Sequence, residues 1–239
     1  MRTAVCFTGT ARSLEHTHEN LVNNLINIYE ESDVFLYVAD NPHVFKIKKY
    51  FNNQNVKKCL IVKEPEYDLS MYRFEPGWPN PSQSSEQTYI KMLNSRAECG
   101  KMLLNYEKEN DIIYDRVIFS RMDISYFESI FSQTKELDLN NLYIPDFHNT
   151  FGGQIDGYND RFAISNRKNM QIYFNAVNNI RSFIRQGGLL HGETFLKWHL
   201  KINQISVKKI PVRFTRVRSN GEEIDKRLKN ISTWKIDDT

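Results

Sequence analysis

Three short apolar runs open the chain: TAVCF (3–7), VFLYVAD (34–40) and VKKCLIV (56–62). Between the first two, residues 17–30 place Leu21, Leu25 and Ile28 at helical spacing. Between the second and third, PHVFKIKKYF (42–51) reads as a helix, with Pro42 at its start, where a missing N–H costs nothing. Strand–helix–strand–helix–strand leaves few folds open. Crossovers of this length join parallel strands, and they do so right-handedly. The expected class is α/β, with a mostly parallel central sheet flanked by helices.

The alternation then breaks. Residues 63–83 hold four of the seven prolines, and Tyr67, Tyr72, Phe74 and Trp78 are placed to anchor them as an ordered loop. Ser84 and Gln87 have the spacing of a capping box that opens a long helix to about residue 109. Its apolar stripe runs through Tyr89, Leu93, Ala97, Gly100 and Leu104, and Arg96 falls within it. A charge on a sheet-facing stripe needs a partner or a ligand. Residues 115–120, 141–145 and 160–165 read as further strands, and Ser165 or Asn166 caps the helix that follows. Gly187-Gly188 leads into another helix over 191–200, and 205–218 alternates apolar and basic residues like a half-exposed strand. No linker divides the chain, so one domain is expected over 1–219. A loosely held polar tail is expected over 220–239, with Trp234 as its anchor.

Composition narrows the function classes. A net charge of +3 is too mild to argue for nucleic acid. No apolar run reaches the length of a membrane span, and the N-terminus reads as a first strand, not a signal peptide. The three cysteines form no C-x-x-C, and Cys6 and Cys59 lie in apolar runs, which fits buried, reduced thiols in a cytoplasmic protein. There the Asn230-Ile-Ser232 acceptor sequence has no role.

Ligands of open α/β sheets bind at the carboxyl ends of strands, so the residues there matter most. FTGTARS follows the first strand: Gly9 lets a phosphate approach, and Thr8, Thr10 and Arg12 supply donors. It is neither a Walker loop nor G-x-G-x-x-G. VIFSRMD ends another strand, and Arg121 and Asp123, two apart, share a face. They make either a surface ion pair or a site for a phosphate and a divalent metal. FGGQIDGYNDRFAIS adds Asp156, Asp160 and Arg161 around a glycine turn, and Glu193 opens the helix of HGETFLKWHL. The helix dipole alone would favour that acid. His191 and His199 read as structural rather than as metal ligands.

Taken in order, CFTGTARS, SDVFLYV, the block NSRAECGKMLLNYEKENDIIYDRVIFSRMDISYF, GYNDRFAISNRKNMQIY and HGETFLKWHL resemble small glycosyltransferases of the GT-A type, as found in bacteria and large DNA viruses. The resemblance spans about residues 2–200 and implies a single GT-A-like, Rossmann-like domain. It further implies transfer of a sugar from a nucleotide-diphosphate donor to a hydroxyl of a glycan or glycoconjugate. By it, the first loop (Thr8, Gly9, Thr10, Arg12), Asn94, Arg96 and Arg121 would hold the nucleotide sugar. A divalent metal, Mn²⁺ or Mg²⁺, would sit on an Asp-x-Asp motif. Here the triplet is Arg-Met-Asp, so Asp123 offers one carboxylate instead of two. Glu193 resembles the general base of inverting members, with Asp156 and Asp160 as the other acids. A sulfotransferase-like reaction with His148 or His191 as base, and a non-catalytic nucleotide- or glycan-binding domain, are the alternatives.

Overall fold

A computed structural model of the chain describes residues 1–30, 32–77, 85–151 and 155–230. The strands β1 (Thr3–Gly9), β2 (Ser32–Ala39) and β3 (Val56–Val62) pair in parallel, joined by α1 (Leu14–Leu21) and α2 (Phe45–Phe51). After Leu21 the first helix widens into a π turn, Val22–Ile26, which turns both Leu25 and Ile26 inward. The long helix α3 (Glu86–Asn110) crosses back to β4 (Arg116–Arg121), which lies beside β1. Then come β5 (Ile124–Tyr126), α4 (Phe131–Thr134), β6 (Leu142–Pro145), the hairpin of β7 (Thr150–Phe151) and β8 (Ile155–Asp156), and β9 (Phe162–Ser165). Three helices, α5 (Arg167–Phe174), α6 (Ile180–Arg185) and α7 (Gly192–Ile202), precede β10 (Val207–Ile210) and β11 (Phe214–Arg216).

The main sheet has seven strands in the order β10-β6-β9-β4-β1-β2-β3. β9 runs antiparallel to both β4 and β6, and the other strands share one direction. This is the mostly parallel, Rossmann-like architecture expected of a GT-A-like chain. Side-chain alternation sorts the core into two layers. Val5, Phe7, Leu36 and Ile118 face α1 and α2, while Ala4, Cys6, Phe35 and Phe119 face α3, α5 and α7. Cys59 is exposed because β3 is an edge strand, so only Cys6 and Cys99 are buried thiols. No helix among the described residues is long and apolar enough to cross a membrane.

Several local expectations shift. Ser85 caps α3, accepting from the Thr88 amide at 3.1 Å; Ser84, Trp78 and Trp234 lie outside the described residues. Gln87 does not close a capping box. Its amide brackets the Tyr67 backbone, accepting from Tyr67 N and donating to Tyr67 O, and so ties down the proline-rich loop. The strand expected over 205–218 is two strands in two sheets. Pro211 has no N–H to give, so the ladder with β6 stops, and β11 pairs antiparallel with β5 instead. The helix after Ser165 is capped by Asn166 and interrupted by a 3₁₀ turn at Asn175–Asn179. Residues 217–230 are tied to the body: Val217 N donates to Asp123 O, and Asp225 is buried against Arg216.

Two fully buried hydroxyls fix the loops beyond the strand ends. Thr17 Oγ1 donates to Met122 O at 2.7 Å, and Ser13 Oγ donates to Val217 O at 2.8 Å. They bind the turn after β1 to the chain beyond β4 and beyond β11. Thr17→Val keeps the shape but leaves the Met122 carbonyl without its donor. It is expected to cost about 1–3 kcal/mol in urea unfolding, with Thr17→Ser close to the parent. Equal stability of the valine and serine variants would show that the hydroxyl anchors nothing.

Candidate functional site

β1 and β4 end side by side, with Thr8 in register with Arg121. Gly9 closes β1 at φ 111°, a conformation that favours glycine, and a Cβ placed there would meet nothing within 4 Å. The backbone therefore faces open space at the carboxyl end of the sheet. Thr8 is buried, Thr10 exposed and Arg12 half-buried around it.

Across this opening Arg121 forks onto Asp123, Nε to Oδ1 at 2.8 Å and Nη2 to Oδ2 at 2.5 Å. The two-residue spacing of the sequence thus becomes a bidentate pair. β9 runs antiparallel, so it enters the sheet where β4 leaves it. That brings Asp160 and Arg161 to the same place. Arg161 Nη1 lies 3.2 Å from Glu193 Oε1 and 3.9 Å from Asp160 Oδ1. Beneath them Arg96 is fully enclosed, its guanidinium 4.9 Å from the Phe119 ring centre and 4.8 Å from that of Tyr173. Arg96 donates to the Asp160 carbonyl at 3.1 Å, and Tyr173 Oη donates to the same oxygen at 3.0 Å. Arg96 therefore reaches this site through Asp160. The Asn94 side chain donates to Ile90 O of its own helix.

Glu193 is placed by close backbone contact. Tyr158 N donates to Glu193 O at 2.9 Å, and Gly157 lies so near that an added Cβ would be 2.5 Å from the Glu193 carbonyl carbon. His191 caps α7, with Nδ1 accepting from Thr194 N at 3.4 Å. His199 is bonded at both ring nitrogens, to Ile172 O and to Asn179. Asp156, by contrast, is exposed and paired with Lys197.

Two buried acids, Asp123 and Asp160, and the half-buried Glu193 divide in proton affinity. Burial would raise Asp123 and Asp160, but guanidinium neighbours more than offset it and hold both below the usual carboxylate range. Arg121, Arg12 and Arg161 act on Asp123, and Arg161, Arg96 and Arg121 act on Asp160. Glu193 goes the other way: burial pushes it up and Asp160 adds to the rise, with Arg161 only partly opposing. The site thus holds two carboxylates kept anionic by arginines and a third, Glu193, that keeps its proton to a higher pH than an ordinary glutamate.

A divalent metal does not fit these residues well. Both Asp123 oxygens are engaged by Arg121, and no group of three His, Cys, Asp or Glu able to hold a metal ion occurs among the described residues. A groove of about 650 Å³ exists at the other end of the sheet, between Tyr29, Asn55 and Tyr106. Of its two carboxylates, Glu30 is exposed and Asp33 is already taken by Lys57, Tyr114 and Asn55. Converging arginines and a raised acid favour the carboxyl end as the functional one.

A second constellation flanks the first; the sequence offered His148 as an alternative base but nothing linked it to Arg216 and Asp225. Arg216 forks onto the buried Asp225 at 2.8 and 2.9 Å, and His148 Nε2 lies 3.7 Å from Asp225 Oδ1. His148 has φ 51°, and burial, aided by Arg161, lowers its pKa to about 4. A histidine lowered on folding stabilises fully above its unfolded pKa near 6.5, and that contribution is lost as pH falls towards 4. His148→Asn tolerates the left-handed backbone and cannot titrate. The loss of stability between those pH values should shrink in it by on the order of 2–3 kcal/mol. Identical pH–stability curves for the two proteins would place the acid sensitivity elsewhere.

Residues 1–222 match a family described as "Domain of unknown function (DUF7796)". No curated protein sequence matches the chain. Among solved structures, the apo form of the glycosyltransferase GlyE from Streptococcus pneumoniae TIGR4 is similar at 16% identity and a TM-score of 0.47. The match covers 87% of this chain and 45% of that one, so the chain spans less than half the length of that structure. Because the family match runs from the first strand past β11, over 222 of 239 residues, the chain belongs to the DUF7796 family.

Proposed function

We propose that this chain is a glycosyltransferase that moves a sugar from a nucleotide-diphosphate donor to a hydroxyl of a glycan or glycoconjugate. The observation that carries the reading is Glu193. It is a half-buried acid of raised proton affinity at the first turn of a helix, 3.2 Å from an arginine that belongs to a guanidinium cluster at the carboxyl ends of parallel strands. Such a transfer needs two things: a base for the acceptor hydroxyl and cations for the departing diphosphate.

Glu193 takes the hydroxyl proton as the acceptor oxygen bonds to the sugar carbon. The bond from that carbon to the diphosphate oxygen breaks, and its electron pair leaves on the diphosphate. Arg121 and Arg161 face that leaving group, with Gly9 and Arg12 at the open end of β1 and Thr8 and Thr10 beside them. Asp160 and Asp123 hold the arginines, and Arg96 holds Asp160. Asn94, on α3 with its side chain bonded to Ile90 O, is the remaining nucleotide-binding residue of this reading. A base acting on the acceptor suits a single displacement with inversion. Asp160, kept anionic by its arginines, is a poor base, and Asp156 faces solvent beside Lys197.

The direct test is a panel of nucleotide sugars, read first by thermal shift and then by release of the nucleoside diphosphate. If no donor raises the melting temperature or is consumed, the transferase reading fails. With a working donor, Glu193→Gln should lower transfer by about 10²–10⁴ while donor affinity holds. The acid limb of the rate profile should lie above the range of an ordinary glutamate and vanish in that variant, because the raised carboxyl must lose its proton before it can accept another. Asp156→Asn should transfer normally. Gly157→Ala should impair turnover more than donor binding, since its Cβ displaces the Glu193 backbone. Normal turnover in both Glu193→Gln and Gly157→Ala, with a collapse in Asp156→Asn, would move the base to the hairpin.

A further inference from the structure

We propose that the donor's diphosphate is held by a guanidinium clamp of Arg121, Arg161 and Arg12, and that this clamp takes the place of a divalent cation. The inference rests on the transferase reading for its ligand but on independent geometry for its chemistry.

Arg121 carries five N–H donors. Two of them, on Nε and Nη2, go to Asp123, and the side chain remains 28% exposed. Asp123 thereby fixes the plane of the guanidinium and leaves three N–H groups for a ligand. A planar, anchored fork matches two phosphate oxygens better than a mobile ammonium would. Arg161 is held by charge rather than by a fork, 3.2 Å from Glu193 and 3.9 Å from Asp160, and its Nε and Nη1 are buried with no hydrogen-bond acceptor. Arg12 Nε is likewise buried without an acceptor. Thr8 of β1 is in register with Arg121, and Ser120 of β4 with Phe162, so the loop carrying Arg12, Arg121 and Arg161 all lie where β1 and β4 leave the sheet and β9 enters it; Arg12 and Arg161 both help to hold the Asp123 carboxyl low there.

The same arrangement disfavours a metal. A divalent ion at Asp123 would have to displace a bidentate guanidinium and then sit among three cations. A diphosphate faces the opposite balance. Its oxygens accept from donors already oriented, and its negative charge relieves the repulsion between Arg121, Arg161 and Arg12.

The test uses the full chain with inorganic pyrophosphate, UDP and GDP as probes, by calorimetry in EDTA and again with Mn²⁺. The clamp predicts binding of pyrophosphate and at least one nucleoside diphosphate in EDTA, with no gain from Mn²⁺. It predicts about a tenfold or greater loss of affinity in Arg161→Lys and in Arg12→Gln, the range for a charge-assisted bidentate contact. Arg12 is a half-buried loop residue, so its variant keeps the test open should Arg161→Lys not fold. Binding that appears only with Mn²⁺ and is lost in Asp123→Asn would overturn the clamp and restore a metal site. Absence of binding in both buffers would overturn it as well. Binding in EDTA that the arginine variants abolish, in a chain that consumes no nucleotide sugar, would support the clamp and sink the transferase reading alone.

Discussion

A charge enclosed between two aromatic rings organises the carboxyl end of this molecule. Arg96 lies within the core between Phe119 and Tyr173, and a buried guanidinium without an anion would be strongly destabilising. Its acceptors are the carbonyl and carboxylate of Asp160, the latter at 3.5 Å. Asp160 must therefore stand just before β9, and β9 must enter the sheet antiparallel beside β4 to bring it there. Arg161 follows, and it meets Glu193. One core requirement thus sets the positions of an arginine and an acid that lie far apart in the chain.

The charges that gather there do not cancel evenly, and their order gives each acid its own character. Asp123 and Asp160 each have several guanidinium neighbours and stay anionic, which fixes the arginines in turn. Glu193 has Arg161 on one side and the negative Asp160 on the other, inside a buried niche, so its charged form is disfavoured. Moving Glu193 slightly towards solvent would remove the burial that raises it. The backbone contact with Gly157 prevents that movement. Packing here serves proton affinity as directly as it serves stability.

Much of this was legible in the residues. The alternation of the first three strands follows from local pattern, and the shared face of Arg121 and Asp123 follows from strand geometry. Arg96 in an apolar stripe was visible as a local anomaly, whereas Glu193 sits where a helix dipole favours any acid and stood out only through the resemblance. What local pattern could not carry was pairing over long separations. Nothing around Arg161 indicates that its partner is Glu193, 32 residues on, or that Asp156 would instead turn outward to Lys197. The Arg216–Asp225 fork was missed, and His148, named as an alternative base, was not joined to it, because the chain from Asn220 reads as a polar tail; only the tertiary position of β11 makes Asp225 a buried anion. The split of 205–218 turned on Pro211, a signal present in the sequence and outweighed there by the continuous apolar–basic alternation.

The site is also assembled from every part of the chain. Its floor is β1 and β4, its inner wall is the start of β9, its acid comes from α7, and its outer loops are tied by Ser13 to Val217 and by Val217 to Asp123. Within the small β5–β11 sheet Phe214 lies against Tyr126, and the sheet packs through Phe214 onto Phe147 and through Tyr126 onto Phe162 of β9. The parallel pairs of the N-terminal half can form from nearby segments. The arginine–carboxylate contacts need residues far apart in the chain to meet, at a loop-closure cost that burial of the central strands must first offset. A chain with its sheet formed but β11 undocked would expose Arg121 and Asp123 as an ordinary, solvent-screened ion pair. The enclosure that separates the proton affinities of Asp123, Asp160 and Glu193 is a property of the completed fold alone.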